Sequence, residues 1–496
     1  MLDYIIKQTD QFIATKSKAE RKAFGQFFTS QETARFMAEL FDIPQVEVLQ
    51  VLDPGAGSGI LSAALLERID HEDGIIKEVI LTCYETNTDV LPLLEANSAL
   101  LQQLSVKKLT VNIIRENYIV SQGADFSESL MAAANPPKYD LVISNPPYFK
   151  LSKDAPEARA MQTVCYGAPN IYFLFAAMSL FNLRDEGEMV FIIPRSWTSG
   201  AYFARFRNYF LEDGKLTDIH IFASRNSVFD KEDVLQETMI LKLRRTNETP
   251  SFVNITSSAD SRFSELSELL VPYDLVVSGS EQFVYLPTSQ EEMDVLSKVH
   301  SFGQPMPAIG LKMKTGLTVD FRNRELLRSD SGEHTVPLFY AQHLKDGRVV
   351  FPIGKENEYI SDEVPGVIQR NRNYLFVKRF TSKEERRRLQ CAVYLASHYP
   401  DYHVISTQNK INFIDTLDRS EMSEELAYGL YAVLNSTLYD MYYRILNGST
   451  QVNATEMNMI PVPDRSRMER LGRSVINARD YSTDYCDSIL EEVVYG

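Results

Sequence analysis

The chain has 496 residues, 44% of them hydrophobic and 24% charged, with a formal net charge of −16. That is the composition of a globular protein with room for two or three domains. Both halves are acidic, which excludes a uniformly basic nucleic-acid binder and leaves any such contact to a local patch. No apolar run reaches membrane-spanning length, the start MLDYIIKQTDQF lacks the plan of a signal peptide, and Cys83, Cys165, Cys391 and Cys486 form no C-x-x-C pair. A cytoplasmic protein with no membrane span and no zinc site is expected.

Residues 1–22 have a helical pattern and lead into Phe24-Gly25-Gln26-Phe27-Phe28-Thr29. Thr29 with Glu32 fits a capping box for a helix running to about Leu40, whose N-terminus could hold a ligand carboxylate. Val48–Leu52 reads as a strand, Asp53-Pro54-Gly55-Ala56-Gly57-Ser58-Gly59 as a tight turn, and Ile60–Ile69 as an apolar helix. Strand, glycine turn and helix open a nucleotide-binding doubly wound sheet, because Gly55 and Gly57 let the backbone approach a ligand closely. No Lys follows Gly59, so this is not a phosphate loop. Asp53 before the glycines would repel phosphate but suits the cationic amino-acid end of S-adenosylmethionine. Taken alone, the turn also suits a nicotinamide site or a structural role.

A second strand, Val79–Glu85, ends in a carboxylate placed to accept from both ribose hydroxyls of an adenosine cofactor. A helix over about 90–104 and a third strand, 109–114, lead to Asn117-Tyr118. Asp140-Leu141-Val142-Ile143-Ser144 reads as a buried central strand stopped by Asn145-Pro146-Pro147-Tyr148-Phe149. An aromatic exocyclic amine is a poor nucleophile, and two acceptors aimed at its N–H groups favour its attack on a methyl donor. The Asn145 side-chain oxygen and the Pro146 carbonyl can be those acceptors, and Tyr148 offers a ring to stack on the base. An aromatic buried helix (170–183) and strands at 187–194, 216–222 and 234–243 complete a parallel α/β pattern, with a loop at Asn226-Ser227-Val228-Phe229.

In their order, the stretch Phe24–Thr29, the turn Asp53–Gly59, Glu85 and Asn145-Pro146-Pro147-Tyr148 resemble the gamma-class (TaqI-type) DNA adenine-N6 methyltransferases of restriction-modification systems. The resemblance covers most of residues 20–245. It implies a Rossmann-like S-adenosylmethionine-dependent fold, with Thr29 and Asp53 at the methionine end of the cofactor and Glu85 at its ribose. Phe229 would pack on the face of the extruded adenine opposite Tyr148. Members of that family carry Asp then an aromatic after the third strand, contacting the cofactor's adenine amine; here Asn117-Tyr118 stand there. Phe149 would flank the cofactor adenine.

Polar residues 244–251 mark a domain boundary, giving a catalytic domain over 1–247 and an α+β target-recognition domain over 248–496. Basic and amide side chains in loops suit phosphate positioning and base-edge reading. The candidates are Lys314, Arg322 and Arg324, then Lys378, Arg379 and Lys383, then Asn447. Residues 374–380, 434–438 and Ile460-Pro461-Val462-Pro463 are similar to the recognition region of the PstI and BsuBI type of modification methylase. The expected activity is site-specific methyl transfer from S-adenosylmethionine to N6 of an adenine flipped out of double-stranded DNA, beside a separate restriction endonuclease acting on the same site. The alternatives are a methyltransferase of protein glutamine or RNA guanine, a non-catalytic DNA-binding specificity protein, and, more remotely, a nicotinamide oxidoreductase.

Overall fold

A computed structural model describes residues 1–15, 29–129, 137–222, 237–382, 384–447 and 450–495. The chain divides into two compact units, Met1–Thr198 with Tyr202–Thr288, and Ser199–Ala201 with Ser289–Gly496. Among the described residues no helix is long and apolar enough to cross a membrane.

The first unit is built on one nine-stranded sheet in the order β3-β2-β1-β4-β5-β7-β6-β8-β9. Its strands are β1 (Val48–Pro54), β2 (Glu78–Tyr84), β3 (Lys108–Ile114), β4 (Tyr139–Ser144), β5 (Leu183–Pro194), β6 (Gly214–Phe222), β7 (Thr238–Arg245), β8 (Phe252–Ser258) and β9 (Ser267–Pro272). The first five run parallel; β7 lies antiparallel between β5 and β6. The sheet is therefore mixed rather than wholly parallel. The chain steps outward from β1 to β3 and then returns to the other side of β1, so the strand order reverses between β1 and β4. Every residue of β4 is buried, as is every residue of the following helix Ile171–Asn182, as expected for elements covered on both sides.

Two expectations are corrected here. The polar stretch at 244–251 is not a domain boundary: β8 pairs parallel with β6 and β9 antiparallel with β8, so the first unit runs to Thr288. The signal was the alternation in β8, where Val253 and Ile255 are buried between more exposed neighbours. The helix expected from the Thr29–Glu32 box is Gln31–Glu39, and its cap is Ser30, whose side chain accepts from the Thr33 N–H at 3.2 Å. Thr29 is thereby left for other work.

The second unit is α+β. It has a six-stranded sheet whose core strands are Leu311–Thr315, Ile411–Thr416, Tyr374–Lys378 and Cys391–Tyr394, a five-stranded sheet, and helices that include Glu424–Leu434 and Arg465–Ala478. Those two helices touch through glycines: a Cβ at Gly429 would land on the Met468 carbonyl, and one at Gly472 on the Glu425 carbonyl. Backbone cannot yield as a flexible side chain can. Gly429→Ala and Gly472→Ala should each cost about 1–3 kcal/mol or more, read as an earlier midpoint in equilibrium urea unfolding, although Ala favours a helix.

Candidate functional site

β1 ends in the glycine turn, where Gly55, Gly57 and Gly59 have φ of +77°, +56° and +84°. Other residues adopt that region only under strain. The Gly55 and Ala56 N–H groups both donate to the Tyr84 carbonyl at 2.9 Å, which fixes the turn against the end of β2. Gly59 then opens the helix Ile60–Asp70.

β4 is fastened to β1 at both ends. The Gln50 N–H donates to Asp140 Oδ2 at 2.8 Å, and the buried Ser144 hydroxyl donates to the Pro54 carbonyl at 2.7 Å. The turn after β1 and the Asn145–Tyr148 loop are therefore neighbours at the carboxyl edge of the sheet, where open α/β sheets bind ligands. Between them opens a cavity of about 560 Å³. Its wall includes Thr29, Gly55, Gly57, Glu85, Asn117, Tyr118, Asn145, Pro146 and Phe149, all named above from the sequence. The volume is that of a small-molecule site.

Asn145 is half-buried and donates from Nδ2 to Thr29 Oγ1 at 3.1 Å. The Tyr148 hydroxyl lies 2.7 Å from the Ile192 carbonyl and 2.8 Å from the Asn145 side-chain oxygen. One phenolic proton cannot serve two acceptors. Turning the Asn145 amide over lets its NH₂ donate to Tyr148, while the Tyr148 proton goes to Ile192 and the Thr29 hydroxyl donates to the turned amide oxygen instead of accepting from Nδ2. The Tyr148 ring stands edge-on to Tyr172, with centroids 6.3 Å apart. It is half-buried and does not line this cavity.

Asp53 is also placed differently from the expectation. It is 1% exposed and lies beneath the turn, not in the cavity wall, with Oδ2 accepting from the Ser62 hydroxyl at 2.6 Å. Burial, reinforced by the nearby Glu85 charge and opposed by Ser62, pushes its carboxyl up to about 7. Glu85 does line the cavity. Its Oε1 takes the Thr86 and Asn87 N–H groups at 2.8 and 2.7 Å, and its Oε2 takes the Gly57 N–H at 2.9 Å. Burial raises its pKa while those three donors oppose the shift. A carboxylate has about four acceptor sites, so one remains, and the expected two-handed grip on a ribose is not available without releasing a backbone N–H.

Asn117 caps the short helix Tyr118–Ser121, its Oδ1 accepting from the Ile119 and Val120 N–H groups at 3.1 Å each. Tyr118 is buried, with its hydroxyl donating to Asn182 Oδ1 at 2.8 Å and its ring packed on Tyr84 and Phe175. Glu157, Ile171 and Phe175, which no motif in the sequence singles out, also line the wall. No local spacing announces Glu157; only the fold brings the helix Pro156–Ala160 to the cavity. S-adenosylmethionine fits this lining: a glycine turn that leaves open space where a Cβ at Gly57 would stand, one free acceptor site on Glu85, and apolar surface from Phe149, Ile171 and Phe175. Phe24–Phe28 and Phe229 lie outside the described residues.

In the second unit, Arg322 and Arg324 are exposed in successive turns. Lys314 pairs with Asp415 at 2.9 Å and Lys378 with Glu385 at 3.2 Å. Arg379 is half-buried and donates to the Asn409 carbonyl at 3.0 Å and to Gln451 at 3.3 Å. Asn447 is 1% exposed and donates to the buried Glu456, which corrects its assignment as a base reader: no base edge can reach it. Lys383 lies outside the described residues.

A family described as Eco57I restriction-modification methylase matches residues 69–229. The chain is 35% identical over 488 residues to the type II methyltransferase M.BsuBI of Bacillus subtilis, spanning 97% of this chain and 95% of that one. It is 32% identical over 476 residues to the type II methyltransferase M.PstI of Providencia stuartii, spanning 93% and 91%. The fold resembles that of the type IIL restriction-modification enzyme MmeI, solved in complex with DNA, at a TM-score of 0.51 and 12% identity over all of this chain and 72% of that one.

The Asp53 carboxyl holds its proton to about pH 7 in the fold but releases it near 3.8 when free. Between those values the unfolded chain binds fewer protons than the native one, so this group's contribution is full below pH 3.8 and is lost as pH rises to 7. Melting curves from pH 4 to 8 should show the wild type losing stability relative to Asp53→Asn across that window, with parallel curves as the contrary result.

Proposed function

Because the chain belongs to the type II DNA methyltransferases of restriction-modification systems, which use S-adenosylmethionine, we propose that it methylates N6 of an adenine flipped out of a double-stranded DNA site. The observation that carries this reading is that Asn145 and Pro146 share one cavity wall with Gly55, Gly57 and Glu85. S-adenosylmethionine supplies an electrophilic methyl when bound. The glycine turn would hold its amino-acid end and Glu85 one ribose hydroxyl. The Asn145 side-chain oxygen and the Pro146 carbonyl would accept from the adenine amine and hold its lone pair towards the donor, so that positioning and charge stabilisation supply the acceleration.

Thr29 and Tyr148 bracket the Asn145 amide and fix its plane. The Tyr148 ring would meet one face of the base, and Phe229 the other. An N6 amine lies inside the duplex stack, so extrusion is required before either acceptor can reach it. The second unit, from Ser289 onward, would recognise the target, with Arg322 and Arg324 as its exposed cations. A separate endonuclease cutting the same site would be the counterpart of this modification in the cytoplasm.

Incubation with methyl-labelled S-adenosylmethionine and duplex DNA, RNA or peptide, followed by nucleoside and amino-acid analysis, tests the reading. N6-methyladenine from duplex DNA alone is expected; N4-methylcytosine, or label in RNA or peptide, would overturn it. Asn145→Ala should lower the rate of DNA methylation at least ~100-fold, the scale of losing a positioned oxyanion-type contact. Binding of S-adenosylhomocysteine by calorimetry should change by less than about threefold, since positioning rather than affinity is removed.

A further inference from the structure

At the β3 end of the cavity the wall is formed by Glu116, Asn117, Tyr118 and Glu157, with Phe149, Ile171 and Phe175 providing apolar surface. Apolar surface of this kind suits a planar ring, and the polar groups beside it determine which ring. Asn117 is the obvious candidate to read that edge, but its oxygen is already spent. Both lone-pair directions of Oδ1 take the Ile119 and Val120 N–H groups. What Asn117 turns outward is its NH₂, and that group donates to Glu157 Oε1 at 2.8 Å. A donor facing an exocyclic amine would repel it. Glu157 Oε2 makes no hydrogen bond among the described residues, so Asn117 presents to the cavity a carboxylate oxygen rather than its own amide. Glu116, on the same wall, is exposed and is held by no described side chain.

We propose that Glu157, positioned by Asn117, is the acceptor for the 6-amino group of the cofactor's adenine and makes the site selective for a 6-amino over a 6-oxo purine. The inference rests on S-adenosylmethionine occupying this cavity. A carboxylate has only acceptors, so a 6-oxo ring would place two lone-pair-bearing oxygens against each other, whereas a 6-amino ring donates to it. Asn117 acts through Glu157: its NH₂ fixes the carboxylate, and its oxygen fixes the backbone that carries the NH₂.

The test reads binding, not turnover. S-adenosylhomocysteine and its deaminated counterpart S-inosylhomocysteine are titrated into the full chain by calorimetry. The wild type should prefer the 6-amino ligand by at least about tenfold, the effect of one charge-assisted hydrogen bond. Glu157→Gln, whose amide can turn to accept or donate, should bring the two affinities within about threefold of each other. Glu157→Ala should weaken the 6-amino ligand about tenfold and leave the 6-oxo ligand nearly unchanged. The ratio between two ligands on one sample controls for misfolding. If both variants keep the wild-type preference, Glu157 is not the reader, even though the cavity still binds the cofactor. If the wild type binds neither ligand, the cofactor reading of the cavity itself fails.

Discussion

The Ser144 hydroxyl bond to the Pro54 carbonyl, 2.7 Å long and buried, is the contact on which the site depends. β1 and β4 are paired by only two residue pairs, Val51 with Leu141 and Leu52 with Val142, so the ladder releases the strands just before both reach the sheet edge. There the chain turns away in two directions, into the glycine turn and into Asn145-Pro146-Pro147. The strand-order reversal means that no crossover packs between them, and a crevice results. The Ser144 bond ties the two turns together just past the last ladder pair, beyond the reach of the β1–β4 backbone pairing. The fold thus provides a cavity through topology, and a buried side chain fastens the two turns beside it.

The charges around that cavity are not where the sequence order would put them. Asp53 is the acidic residue nearest the glycines, but it is sealed under the turn and keeps its proton to about 7. A cation in the cavity meets Glu85 instead, which three backbone N–H groups hold in place. Those donors link the turn after β1 to the end of β2, so the carboxylate is a fastening as well as a binding group. The same economy recurs at β3, where the Asn117 amide caps a helix with one end and orients Glu157 with the other. In each case a polar group on the cavity wall is also bonded to the backbone, so it is held in place by the fold itself.

Much of this was legible beforehand because it is written in backbone constraints. Glycines at positive φ must follow β1, and a Pro-Pro pair must end β4, so both turns were identifiable without a structure, and their common cavity follows from the strand order. The family resemblance seen in those motifs is borne out by the near-complete alignments with M.BsuBI and M.PstI. What could not be read was which way short side chains face. Thr29 and Ser30 are equally good caps by residue type, and the helix uses Ser30. Asn447 sits in a polar stretch but is buried against Glu456. Residues 244–251 have a linker's composition yet only join β7 to β8, because the alternation that follows them is short. Glu157 carries no motif, since its partner is forty residues away and meets it only after β4 and the Asn145–Phe149 loop have crossed.

An acidic protein acting on a polyanion looks contradictory until its carboxylates are traced. In the second unit Asp415 is bound by Lys314 at 2.9 Å and by Arg372 at 3.1 Å, and Glu385 by Lys378 at 3.2 Å. These pairs contribute little free cation, and their effect is to cancel anions. Among the described residues Arg322 and Arg324 remain outside such pairs, with the Arg322 guanidinium 5.5 Å from the centroid of Phe321, a residue that is 67% exposed. At physiological salt, charges more than about 8 Å apart are largely screened. A phosphate approaching those turns therefore responds to the local balance and not to the net −16. Neutralising carboxylates in place removes repulsion towards a phosphate, without the indiscriminate attraction to any polyanion that a basic protein carries.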